Sequence, residues 1–275
     1  MKTTTVCAAS DTTVYERRVR CGSFITRFLE AGDPAAPPLL LLHDGAVGGS
    51  SSGSGAQMIP ALAENFYVLA PDMLGFGGTD KAVFLDRSSH AYRTAHLTSF
   101  LDTVGVEGPV DVVGNSFGGA LALRALVGPE RMNIKSVVSI SGSGGPWRTQ
   151  TAIDELGRWD GTISDLARVV NLLIDDGDAY DAHLAERMDW ASAPGHVRAI
   201  RAPSLPLPDS LRPRIQRILG LPSWRARRIL SCSCAAFVIC CWSPNGPTTS
   251  AQSFPDHHRF LDGCRQPLAL NSDWN

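Results

Sequence analysis

Gly114-Asn115-Ser116-Phe117-Gly118-Gly119 is the stretch whose reading decides the fold. An apolar run, Val110 to Val113, enters it, and a run with helical character, Ala120 to Val127, leaves it. The order is therefore strand, tight turn, helix, and the spacing is that of a G-x-S-x-G nucleophile elbow. Such a turn leaves no room for side chains beside the serine backbone, so glycine is needed at 114 and 118. Ser116 is then presented at the tip. The helix N-terminus places partial positive charge behind it, where an oxyanion would form, and the Phe117 N–H is a candidate donor to that oxyanion.

Outward from this turn, buried strands and helices alternate. Toward the N-terminus, Ser88 to Val104 has helical periodicity, Phe66 to Ala70 and Leu39 to Leu42 read as buried parallel strands, and Gln57 to Glu64 reads as helix. Gly48 to Gly55 and Pro71 to Asp80 read as loops. Thr12 to Glu30 reads as a β-hairpin at the sheet edge. Beyond the elbow helix, Ile134 to Ile140 is a further strand. The pattern predicts an α/β fold with a mostly parallel sheet covered by helices on both faces. From 144 to 202 only helical segments follow, and an all-helical insert at that point is expected to cap the strands' carboxyl ends. The expected organisation is thus a core over 1–143, a cap over 144–202 and the rest of the core over 203–275.

The chain has 275 residues and a formal net charge of −2, enough for one full α/β core and without the basic field that nucleic acid requires. No apolar run reaches membrane-spanning length, and Met1 to Asp11 lacks the apolar centre of a signal peptide, so a cytoplasmic protein is expected. Seven cysteines, irregularly spaced, do not suggest a disulfide framework. Cys232, Cys234, Cys240 and Cys241 have no matching ligands at zinc spacing, so no metal is expected.

The residues resemble those of the meta-cleavage-product hydrolases, such as 2-hydroxymuconic semialdehyde hydrolase, within the α/β-hydrolase fold. The matching pieces are Leu40-Leu41-Leu42-His43 with its Gly-rich loop, Ala70-Pro71-Asp72-Met73-Leu74-Gly75-Phe76-Gly77 and Gly114 to Leu123. The cap piece Arg187 to Gly195 aligns more loosely, and the resemblance covers roughly residues 20 to 200. It implies hydrolysis of a carbon–carbon bond in a ring-cleavage product of aromatic catabolism, with no metal or organic cofactor and a small molecule as the binding partner. Self-association stays open. By resemblance Ser116 is the catalytic serine, the Gly45 and Phe117 amides form the oxyanion hole, and Asn115 and Arg187 bind substrate. The other reading of Asn115 is a residue tolerated in a strained turn, and that of Arg187 a solvated charge on a cap helix. His43 and His96 read as structural. Two departures stand out: Asp44 where the family has glycine, and Ser51 to Ser54 where it has a tryptophan and an asparagine.

Serine needs a base, and the base needs an acid, in the order Ser, Asp or Glu, His for this fold. No late Gly-x-x-Asp turn or Gly-His-Trp occurs. The best late strand, Ala235 to Trp242, runs into Ser243-Pro244-Asn245-Gly246, which holds no carboxylate. His257 is the candidate base and Asp256 the candidate acid, with His258 and Asp262 nearby. Near residue 203 the composition also shifts, with a cluster of arginines and then of cysteines, as a change of reading frame or exon would produce. A carboxylesterase and a non-catalytic relic that keeps the pocket are the alternative functions.

Overall fold

The computed structural model describes residues 5–6, 12–127, 131–142, 155–156, 158–174, 177, 179–202, 229–231 and 237–239. Among these residues, seven strands form the main sheet. In chain order they are β1 (Thr5–Val6), β2 (Val14–Cys21), β3 (Phe24–Ala31), β4 (Pro38–Leu42), β5 (Tyr67–Pro71), β6 (Val110–Asn115) and β7 (Ile134–Ile140), and across the sheet they run β1-β2-β3-β5-β4-β6-β7. The pairs β4–β5, β4–β6 and β6–β7 are parallel, whereas β1 to β3 and the β3–β5 pair are antiparallel. The expected hairpin is β2–β3, turning at Gly22 in a left-handed backbone conformation (φ 59°). It does not form the edge, because β1 pairs outside it.

The continuous apolar run of β4 is explained by burial on both sides. Leu40 and Leu42 enter one core with Leu69, Phe100, Val112, Leu121 and Val137, while Leu39 and Leu41 enter another with Leu29, Ile59, Val68 and Ala70. The first core is covered by helices α3 (Ser89–Thr103) and α4 (Phe117–Val127) and the second by α2 (Ile59–Ala63). Alternate side chains of one strand point to opposite faces, so a strand with both faces covered must be apolar at every position.

One helix falls where a loop is expected. α1 (Ser51–Gly55) is built from Ser and Gly, poor helix formers. It is held by capping and by a distant carboxylate. Ser50 Oγ accepts from the Gly53 N–H (3.0 Å), and Asp72, following β5, accepts from both the N–H and the Oγ of Ser51 (2.7 Å each). Asp72 also pairs with Arg27 Nη1 at 2.8 Å.

Helices α5 (Ile163–Val170), α6 (Tyr180–Ala191) and α7 (His196–Arg201) follow the sheet strands. They enclose a third core of Trp159, Leu166, Val170 and Ala191, into which Val47, from the loop after β4, inserts. Further on, β8 (Ile229–Ser231) and β9 (Phe237–Ile239) form a separate antiparallel pair. The late strand expected at Ala235 to Trp242 is thus described only at 237–239.

Candidate active site

Ser116 lies between β6 and α4 with φ 49°, one of two non-glycine residues with positive φ among the described residues. A side chain in this conformation costs on the order of 1 kcal/mol or more, and functional turns are where such strain collects. The turn is fixed by neighbours that close on it. The Ser116 N–H donates to Ile140 O at 2.7 Å, and Ser116 O accepts from the Ala120 N–H at 3.0 Å. A Cβ on Gly114 would sit 2.5 Å from Gly118 C and Gly119 N, and one on Gly118 would sit 2.5 Å from Leu42 O. Neither position can carry a side chain without moving backbone. Ser116 itself is half-buried, and no described residue takes a hydrogen bond from its Oγ.

The loop after β4 meets the elbow at Gly45. A Cβ there would fall 2.6 Å from Phe117 Cβ, so glycine is what lets the two segments touch. Neither the Gly45 N–H nor the Phe117 N–H is engaged by a described group. Asn115, the last residue of β6, lines a narrow cavity of about 20 Å³ with His43, Ser51, Ser54 and Met58. A larger cleft of about 420 Å³, lined by Thr98, Gly105, Glu107 and Asn133, lies by the strands' other ends and is separate from this turn.

Arg187 is not a solvated charge: its side chain is 3% exposed. Its Nη2 meets Asp44 Oδ2 at 2.7 Å and its Nη1 meets Asp44 Oδ1 at 3.2 Å. Nη1 also donates to Val47 O at 3.1 Å, and Nε to His183 Nε2 at 3.3 Å. The guanidinium that the resemblance assigns to substrate binding therefore holds a carboxylate of the chain itself. Burial alone would push the Asp44 carboxyl up, but the Arg187 charge beside it, with hydrogen bonds from Arg187 and Ser54, holds it well below the usual carboxylate range.

The buried histidines are engaged in structure. His43 Nδ1–H donates to Asp44 O (2.6 Å) and Nε2 accepts from the Met73 N–H (2.9 Å), which ties the loop after β4 to the loop after β5. His196, from α7, does the same from above: its Nδ1–H donates to Gly75 O and its Nε2 accepts from the Gly48 N–H, both at 2.9 Å. His96 contacts Thr26 Oγ1 at 2.8 Å. Burial lowers the pKa of His196 and of His96 to about 4, so both are neutral near pH 7. Sequence reasoning left His196 without a role, since its partners lie more than a hundred residues away.

His257, His258, Asp256 and Asp262 lie outside the described residues. Among the described residues, no three His, Cys, Asp or Glu side chains could hold a metal ion, and no helix is long and apolar enough to cross a membrane.

The chain is 32% identical over 66% of its length to 2-hydroxy-6-oxo-6-(2'-aminophenyl)hexa-2,4-dienoic acid hydrolase of Metapseudomonas resinovorans, spanning 62% of that protein. It is 28% identical over 56% of its length to 2-hydroxymuconate semialdehyde hydrolase of Pseudomonas sp. strain CF600, spanning 54% of it. In both cases less than two thirds of the relative is covered. Among solved structures, a serine hydrolase involved in carbazole degradation superposes with a TM-score of 0.56 and 31% identity, over 70% of this chain and 69% of that one. A family-wide sequence profile described as the alpha/beta hydrolase fold matches residues 37–186, more than half of the chain. With the parallel sheet and the strand–turn–helix at Ser116, this makes the chain a member of the α/β-hydrolase fold family.

Proposed function

We propose that the chain is a serine hydrolase that cleaves a carbon–carbon bond in a meta-cleavage product of aromatic catabolism. The observation that carries the serine-hydrolase part is the meeting of Gly45 with Phe117 beside Ser116, with both amides unclaimed by any described group, and the bond cleaved is proposed from the similarity to the two dienoic acid and semialdehyde hydrolases. In this reading Ser116 Oγ is the nucleophile, or positions a water, once the substrate's dienol has ketonised. The Gly45 and Phe117 N–H groups stabilise the oxyanion as it forms, and donors held rigidly in this way contribute about 3–4 kcal/mol each. Asn115, beside Ser116 on the rim of the narrow cavity, orients the substrate. Helices α5 to α7, the 144–202 insert, act as the cap, and the base and its acid come from the chain after residue 203, with His257 and Asp256 as the candidates. The cytoplasm is the compartment that suits such a catabolic enzyme.

A second reading, hydrolysis of an uncharged ester, is favoured by one observation: the Arg187 guanidinium is already paired with Asp44. A fluorophosphonate probe tests the shared premise. Fast labelling of the full chain that Ser116→Ala abolishes is expected, and slow labelling that is equal in both would leave a non-catalytic relic. Side-by-side turnover of a coloured dienoate and a p-nitrophenyl ester then separates the two substrates.

A further inference from the structure

We propose that Asp44 is a specificity-determining residue whose carboxylate takes, on Arg187, the place that an anionic group of a ligand would take, so that the site accepts ligands uncharged at that end. Both side chains of the pair are buried, 5% and 3% exposed, and they meet through two contacts, at 2.7 and 3.2 Å. Two further guanidinium N–H groups go to Val47 O and His183 Nε2, so four of the five donors are taken and the one left on Nη2 does not provide the paired donors that hold a second carboxylate through both oxygens. Asp44 is also anchored from its own side. Oδ1 accepts from the Ala46 N–H at 2.8 Å and Oδ2 from Ser54 Oγ at 2.7 Å, so it cannot swing away without breaking both.

The pair is adjacent to the chemistry. Asp44 immediately precedes Gly45, and Ser54 lines the same narrow cavity as Asn115. Two opposite charges in contact leave little net charge there. An entering carboxylate would have to displace a buried, hydrogen-bonded one, or lie beside it as a like charge in a medium that screens poorly. A neutral ligand meets neither obstacle. This inference rests on the site proposed above for its catalytic consequence, but the state of Arg187 can be tested without turnover.

The test is chemical rescue of the full chain with acetate, the severed equivalent of the Asp44 side chain, against neutral acetamide at constant ionic strength. In Asp44→Gly, acetate should raise the melting temperature by about 5 °C at concentrations well above its Kd, and acetamide should not. Neither should shift the parent chain or Asp44→Gly/Arg187→Met by more than about 1 °C. An Asp44→Gly chain that acetate fails to stabilise, or folds no better with it, overturns the inference, as does an equal shift in the parent. For specificity, Asp44→Asn should raise the rate ratio of p-nitrophenyl hemisuccinate to p-nitrophenyl acetate at least tenfold, and an unchanged ratio in an active enzyme would refute the role. If Ser116 does not label, the proposed function fails, while the acetate result still reports on Asp44.

Discussion

Mild acid should destabilise this protein well before its carboxylates titrate, because two histidines are held neutral in the fold. His196 and His96 have pKa values lowered to about 4 by burial, against about 6.5 in an unfolded chain. A depressed folded value means that the unfolded state binds the proton first. The stabilisation is therefore complete above pH 6.5 and is lost as pH falls from 6.5 toward 4. At pH 5 the ratio of the two binding polynomials is about thirtyfold, or about 2 kcal/mol per histidine and roughly 4 kcal/mol for both. His43 and His183 are shifted in the same direction by burial and add to the loss. Asp44 and Asp72 do not offset the loss, since their depressed carboxyls release stability only below the usual carboxylate range. Urea unfolding at half-unit steps from pH 7.5 to 5 is the assay. With a slope near 2 kcal/mol per molar, the midpoint should fall by about 2 M over that span. His96→Gln should remove about half of the pH dependence whatever it does to absolute stability. A midpoint that is flat between pH 7 and 5 would refute the assignment of these rings as neutral, buried hydrogen-bonding groups.

Other outcomes follow from the same geometry. Arg187→Met strands the Asp44 charge and should cost about 3–5 kcal/mol, while Asp44→Gly/Arg187→Met should cost less than that single change; strictly additive losses in urea melts would contradict a coupled pair. Ser116→Gly relieves the positive φ and should stabilise the fold by about 1 kcal/mol while abolishing fluorophosphonate labelling. Gly45→Ala pushes its loop off Phe117 and should lower kcat about a hundredfold or more with an unchanged circular dichroism spectrum; full activity would remove Gly45 from the oxyanion hole. Translating the gene in its other frames past codon 203 should reveal Gly-x-x-Asp and Gly-His-Trp, and finding neither would leave ordinary divergence as the cause of the atypical end.

What was legible in the sequence was what local sterics impose. Gly114 and Gly118 announce the elbow because backbone passes within 2.5 Å of where their side chains would be. Leu39 to Leu42 announces a strand covered on both faces because alternate residues feed two cores. Features made by distant partners were not legible. α1 has no propensity of its own and exists because Asp72, some twenty residues on, takes the donors of Ser51. Asp44 looked like an isolated departure from the resembled family, yet its meaning lies in Arg187, 143 positions away, and no period or spacing links the two. The sheet edge was misplaced for a similar reason, since a two-residue strand such as β1 carries no pattern to read.

Gly48 lies so close under α6 that a Cβ there would be 2.1 Å from Arg187 O, and the Gly48 N–H is bonded to His196. The helical insert and the loop that carries Gly45 are thus machined as one part. A recombination event that exchanged the insert for another lid would unseat the amide beside the serine at the same time. New substrate preferences should therefore arise here by substitutions within the existing helices, with Arg187 and His196 as the rivets that any such change has to leave in place.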